Sequence, residues 1–212
     1  MKIKAIETEY KGYKFRSRLE ARWAVFFDAM GIEYQYEPEG FEREVYGCVY
    51  RWLPDFYLPE LKVWVEVKGG KLSDADAEKM SWILDDYDCP MDGFTFSAER
   101  KISYVRGGLL LLGDIPEPTG DLVLHTLIRH REGLIGEYVR FKSMVGGYLE
   151  IFDSYEAEAH DLPKHEWFCG GDVADDNFKF KHESIKSPSF YPLVRDAYKK
   201  ARQARFEHGE CP

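Results

Sequence analysis

Apolar positions change their period twice in the first third of the chain. Leu19, Trp23, Phe26, Phe27 and Met30 recur at three- or four-residue intervals and predict a helix from Ser17 to about Met30 with one apolar stripe. Gly31 stands where such a helix ends. Ile32–Tyr36 and Tyr46–Trp52 then read as strands, the second running into Pro54-Asp55-Phe56-Tyr57-Leu58. Past a turn at Pro59-Glu60, Val63, Val65 and Val67 alternate with Trp64, Glu66 and Lys68 at strand period, and Gly69-Gly70 closes the strand. Ser73, followed by the acidic positions Asp74, Asp76 and Glu78, predicts the start of a second helix reaching about Tyr87. Strands are expected again near Phe94–Ser97 and Gly108–Leu112.

This order describes an α/β core over residues 1–115. Ile115-Pro116-Glu117-Pro118-Thr119-Gly120 is the best boundary candidate, because Pro and Gly interrupt both periods. Residues 120–212 read as an α+β extension. Strand-like pieces lie at Leu122–Leu127 and Tyr148–Phe152, and residues 153–187 are polar and irregular. A final helix over Ser189–Phe206 is expected to bury Leu193, Ala197, Ala201 and Ala204. Its other side carries Arg195, Lys199, Arg202 and Arg205, a solvated face or a track for a nucleic-acid backbone. Neither an internal repeat nor a low-complexity tract is visible.

The chain has 212 residues, 44% hydrophobic and 16% aromatic, which is ample for a buried core and excludes a disordered chain. No apolar run is long enough to span a membrane, and Met1-Lys2-Ile3-Lys4 lacks the apolar segment of a secretion signal. Cys48, Cys89, Cys169 and Cys211 lie far apart, a pattern of free thiols in a reducing, cytoplasmic setting. A net charge of −9 weighs against non-specific DNA affinity. A site that binds divalent cations must itself be acidic, however, so the placement of the basic residues matters more than the total. Lys11, Lys14, Arg16, Arg18 and Arg22 cluster just where the proposed site begins, and Lys68 and Lys71 lie at its other end. Lys14, Arg16, Arg18 and Lys71 are the candidates for contacts with DNA; each also fits an ordinary solvated surface charge.

The chemistry concentrates in Pro54-Asp55, ten intervening residues, and Glu66-Val67-Lys68. Strand alternation puts Glu66 and Lys68 on one face while the valines anchor the other. The turn at Pro59-Glu60 brings Asp55 back beside Glu66. Two carboxylates held close repel unless a cation lies between them, and hard oxygen donors suit Mg²⁺ or Mn²⁺. A metal there would polarise a phosphate and activate water, with Lys68 orienting the water or stabilising charge on phosphorus. The bland alternative, a solvent-facing half of an amphipathic strand, loses ground to the preceding Pro-Asp and the following glycines. Glu20 admits two readings. Ser17-Arg18-Leu19-Glu20 fits a capping box, in which Glu20 reaches back to the helix start. It also lies beside Phe27 on the helical wheel, where a carboxylate can face the hairpin.

Phe15-Arg16-Ser17-Arg18-Leu19-Glu20, Gly31-Ile32-Glu33-Tyr34-Gln35-Tyr36-Glu37, Pro54-Asp55-Phe56-Tyr57-Leu58-Pro59 and Val65-Glu66-Val67-Lys68-Gly69 together resemble the PD-(D/E)XK nuclease superfamily. Within it the order and spacing are most similar to the phage endonuclease I family of Holliday-junction and branched-DNA resolvases. The resemblance covers about residues 12–97. It implies a restriction-endonuclease-like core, a mixed central sheet flanked by helices, and a divalent metal at Asp55, Glu66 and the carbonyl of Val67. It also implies Glu20 as a catalytic residue and further ligand, Lys68 as the catalytic lysine, DNA as substrate, a homodimer, and a phage or mobile-element enzyme acting in a bacterial host. The chain departs from that family in being acidic and in carrying residues 120–212, which have no counterpart there. A transposon-end or restriction-like nuclease working with a partner is the first alternative. A non-catalytic DNA- or protein-binding module that keeps the fold is the second.

The C-terminal part offers decoys. His160, His165, Cys169 and His182 include one spacing that could ligate zinc, His165-x-x-x-Cys169, without a complete four-ligand set. Gly107-Gly108, Gly146-Gly147 and Gly170-Gly171 are turn signals outside any phosphate-loop pattern. Trp167 and Tyr191 fit buried packing better than base stacking.

Overall fold

The computed structural model describes residues 6–70, 73–84, 94–97, 102–105, 107–118, 122–130, 134–142, 148–152, 183–185 and 192–206. The chain opens with a hairpin of β1 (Thr8–Tyr10) and β2 (Tyr13–Phe15). Its turn is Lys11-Gly12, with φ of 48° and 82°, the doubly left-handed backbone whose twist matches paired strands. Helix α1 (Arg18–Met30) follows, capped by Ser17, whose Oγ accepts the Glu20 N–H. Gly31 ends it at φ 70°, and its N–H returns to the Asp28 carbonyl.

Next come β3 (Gln35–Tyr36), a second hairpin of β4 (Phe41–Val45) and β5 (Cys48–Trp52), then β6 (Phe56–Leu58) and β7 (Val63–Val67). Helix α2 (Asp74–Leu84) begins at Ser73, whose Oγ accepts the Asp76 N–H at 3.1 Å. Strands β8 (Phe94–Ser97), β9 (Ile102–Val105), β10 (Leu109–Leu112), β11 (Leu122–His130), β12 (Leu134–Lys142), β13 (Tyr148–Phe152) and β14 (Glu183–Ile185) precede the last helix, α3 (Pro192–Gln203).

The molecule is mixed α/β, built on a mixed central sheet in the order β3-β6-β7-β10-β11-β12-β13-β9-β8, with β14 added beside β11. Only β7 and β10 run parallel among the described pairings. Both faces of β7 are covered, so every residue of the strand is buried. On one face Val63, Val65 and Val67 pack with Phe26, Phe27, Leu110, Leu112 and the α3 side chains. On the other, Trp64 joins Trp52, Met80, Ile83, Leu84, Leu109 and Leu111, the underside of α2 and of the β4–β5 hairpin. Helices and a hairpin thus sandwich the sheet as the outer layers of a three-layer domain. The face that carries Glu66, expected to have a solvent-exposed alternative, is a second core.

The strand expected over Tyr46–Trp52 begins only at Cys48. Tyr46 and Gly47, at φ 51° and 78°, form the two-residue turn that pairs β5 with β4. The strand over Ile32–Tyr36 shrinks to Gln35–Tyr36, and the helix expected to reach Tyr87 is described only to Leu84. Residues 115–118, the described part of the boundary expected at 115–120, lie between β10 and β11, antiparallel neighbours in the same sheet. The final helix buries the expected Ala197 and Ala201, with Ala204 just beyond its end, but Leu193 is 44% exposed and Val194 and Tyr198 face inward in its place. The reason is the partner surface. Helix α3 lies on α1, where Tyr198 stacks on Phe26 at 4.6 Å and meets the edge of Trp23, and the alanines admit close approach. Arg202 turns back to the chain, donating to the Ile115 carbonyl at 2.8 Å and pairing with Glu117, instead of standing free to track DNA.

Candidate active site

The β6–β7 register places the acidic pair. Phe56 lies opposite Val65 and Tyr57 opposite Trp64, so continuing one position sets Asp55 opposite Glu66. The four-residue turn Pro59–Lys62 closes the hairpin, with Lys62 N–H donating to the Pro59 carbonyl at 3.3 Å. Asp55, at the end of the hairpin away from the turn, is buried. Its Oδ2 accepts the Val67 N–H at 2.7 Å, and its Oδ1 accepts Arg16 Nη2 at 2.7 Å. Burial and the Glu66 charge push the Asp55 carboxyl up from 3.8 to about 8, with Glu20 adding to the rise against the opposing pull of the Val67 amide and Arg16.

Glu66, 5% exposed, is held at both oxygens. Oε2 accepts the Trp52 indole N–H at 2.9 Å, and Oε1 meets Lys68 Nζ at 3.1 Å. Burial alone would lower the Lys68 ammonium. The charge and hydrogen bond of Glu66, with Asp76 and Asp55 behind them, outweigh it and raise the pKa instead. Lys68 is therefore a cation at neutral pH, not a proton acceptor.

Glu20, buried on the first turn of α1, is drawn back toward the helix start as the capping box requires. Oε1 accepts the Ser17 hydroxyl at 2.7 Å. Oε2 accepts the Arg16 N–H at 3.0 Å and the Tyr36 hydroxyl at 2.7 Å. Its backbone partner is one residue earlier than the usual N-cap amide. Its charge nonetheless reaches Asp55, whose carboxyl it helps to raise, while it serves in the cap.

Glu20, Asp55, Glu66 and Lys68 therefore belong to one connected neighbourhood, with Val67 tied in through its amide. The donor chemistry suits a hard divalent cation: buried carboxylate oxygens whose mutual repulsion raises a pKa, and which a cation would relieve. Arg16 and Lys68 supply that neutralisation here. Among the described residues, no three His, Cys, Asp or Glu side chains converge as a ready-made metal cluster.

The basic candidates separate. Lys14 pairs with Glu7 at 2.9 Å at the surface, and the half-exposed Arg16 pairs with Asp55 and Glu37. Arg18 begins α1. Lys71 lies outside the described residues, as do His160, His165, Cys169, His182, Trp167 and Tyr191. Cys48 is free and exposed on β5. A Cβ on Gly69 would meet Leu19 at 3.4 Å and one on Gly70 would meet nothing, so these glycines answer no steric need within the described chain.

Trp52, Tyr36 and Glu37 complete the neighbourhood, and spacing gave no sign of the role each plays. Trp52 looks like one more core aromatic until its indole nitrogen meets Glu66. Tyr36 looks like a strand residue until its hydroxyl meets Glu20. Comparison with family profiles, curated proteins and solved structures found no match for this chain.

Proposed function

We propose that the protein is a metal-dependent DNA endonuclease of PD-(D/E)XK type that hydrolyses phosphodiester bonds, with branched DNA of the Holliday-junction kind as the substrate. The observation that carries this reading is the pairing of buried Asp55 and Glu66 across one hairpin, with Lys68 on Glu66. Asp55 and Glu66 would hold the cation, together with the Val67 carbonyl, and Glu20 completes the acidic group from the helix side. Mg²⁺ or Mn²⁺ at these oxygens supplies charge neutralisation and Lewis-acid activation of phosphate and water. Lys68, held protonated by its carboxylate neighbours, stabilises negative charge growing on the phosphate. Trp52 fixes the Glu66 rotamer by its indole hydrogen bond, and the Val67 amide fixes that of Asp55.

Incubation of a four-way junction, a flap and a plain duplex with the protein and Mg²⁺ tests this. Cleavage that EDTA abolishes, and that Asp55→Ala and Lys68→Ala lose, is expected. Full activity in either variant rules out the mechanism, and equal cutting of all three DNAs rules out the junction preference.

One observation favours a second reading. Each of the central carboxylates already has a cationic side chain as partner, so the cluster is also consistent with a non-catalytic DNA- or protein-binding module that retains the fold. Absence of Mn²⁺ binding in a calorimetric titration would select it.

A further inference from the structure

Arg16 is the residue whose position the metal-site reading does not use. Its guanidinium bridges two carboxylates, Asp55 Oδ1 at 2.7 Å from Nη2 and Glu37 Oε1 at 2.5 Å from Nε. Asp55 Oδ2 is committed to the Val67 amide. Oδ1 is thus the oxygen with which Asp55 can meet an incoming cation, and Arg16 sits on it. A guanidinium and a divalent ion repel one another strongly at a shared, poorly solvated oxygen. We propose that Arg16 is a built-in counter-cation: it holds Asp55 Oδ1 until a divalent cation arrives, then gives up that oxygen while staying on Glu37.

The local geometry suits a side-chain exchange with the backbone unmoved. The Arg16 N–H is anchored to Glu20 Oε2 and to the Tyr36 hydroxyl, at 3.0 and 2.9 Å. Its side chain is 53% exposed, so the head can shift without disturbing the core. Glu37 is held beside it in a left-handed conformation at φ 44°, with its N–H donating to the Asp55 carbonyl at 3.0 Å. A non-glycine residue stays in that region only where its surroundings fix it, and here the fixing atom belongs to the metal-site aspartate. Lys68 on Glu66 is not equivalent, because among the described residues no second carboxylate pairs with its ammonium to receive it. In the exchanged state the Arg16 guanidinium keeps free N–H groups on its solvent side, where the planar fork matches a backbone phosphate.

The inference rests on the metal-site reading, and calorimetric titration with Mn²⁺ at pH 8 under argon separates the two. Arg16→Gln is expected to bind Mn²⁺ about tenfold tighter than wild type, with Arg16→Lys in between. Glu37→Gln is expected to bind several-fold more weakly, because Arg16 then has Asp55 alone to pair with. That loss should largely vanish in the Arg16→Gln, Glu37→Gln double variant. Unchanged or weaker binding in both Arg16 variants, or an equal Glu37→Gln loss in both backgrounds, overturns the counter-cation role. If Asp55→Ala removes binding while the Arg16 variants match wild type, the metal site stands and this inference alone falls. If Asp55→Ala binds as wild type does, both fall.

Discussion

Asp55 is a buried acid with two donors and two acidic neighbours, and its protonation couples the site to folding. Its carboxyl is raised from 3.8 to about 8, so between those values the folded protein holds a proton that the unfolded chain has released. Stability of the cation-free protein should therefore fall as pH climbs through that window and level off above about 8. Urea midpoints measured in EDTA at pH 5 and pH 9 check this: wild type should lose stability between them, and Asp55→Asn should lose less. A variant curve parallel to wild type contradicts the assignment. Trp52 makes a second prediction at this scale. Trp52→Phe keeps an aromatic ring against Phe41 and Trp64 but deletes the donor to Glu66 Oε2. A stability loss of about 1–3 kcal/mol is expected for the unpaired buried acceptor. Cleavage should slow about tenfold through misplacement of Glu66, with urea denaturation and single-turnover rates as the measurements. Asp55, Glu66 and Lys68 were legible in the sequence because strand alternation and turn spacing fix where such side chains point. Trp52, Tyr36 and the pairing of Arg16 with Asp55 were not, because each depends on a contact between distant segments that no local period encodes.

Elements show the same division. Helix α1 and strand β7 came through nearly residue for residue, since both have strong periodicity and unambiguous caps: Ser17 and Gly31 for the helix, the turn at Pro59–Lys62 for the strand. Strand β4 stayed hidden because Phe41-Glu-Arg-Glu-Val buries little and its charges mask the alternation. Strand β12 is long but interrupted by Gly136 and by charged residues, so pairing and not pattern defines it. Helix α3 was foreseen with Ala197, Ala201 and Ala204 inward, as they are, but Leu193 is exposed and Tyr198 turns in, because the stripe is completed against the aromatic surface of α1. Tyr198→Ala tests that packing. Removing a ring that stacks on Phe26 and meets Trp23 should cost about 3–5 kcal/mol in urea unfolding. Tyr198→Phe, which deletes only the 2.8 Å contact with His125 Nε2, should cost about 1 kcal/mol. A null effect of Tyr198→Ala would show that α3 does not close the core.

For the whole molecule, composition foretold a buried core and the sheet now shows how it is shared. His125 and Phe141, from strands beyond residue 120, meet Trp23 of α1 at ring-centroid distances of 5.7 and 6.5 Å. No helix among the described residues is long and apolar enough to cross a membrane. The net charge of −9 makes one further prediction: Mg²⁺ should raise the melting temperature of wild type more than that of Asp55→Ala, through occupancy of the site and not through general screening. The most direct test of the central claim is the single-turnover cleavage rate of a labelled four-way junction at saturating Mg²⁺, compared between wild type and Glu66→Gln of verified fold. Metal-dependent chemistry at the Asp55–Glu66 hairpin predicts junction cleavage by wild type and a loss of at least about a hundredfold in the variant. Equal rates in the two proteins, or no cleavage by wild type, would contradict it.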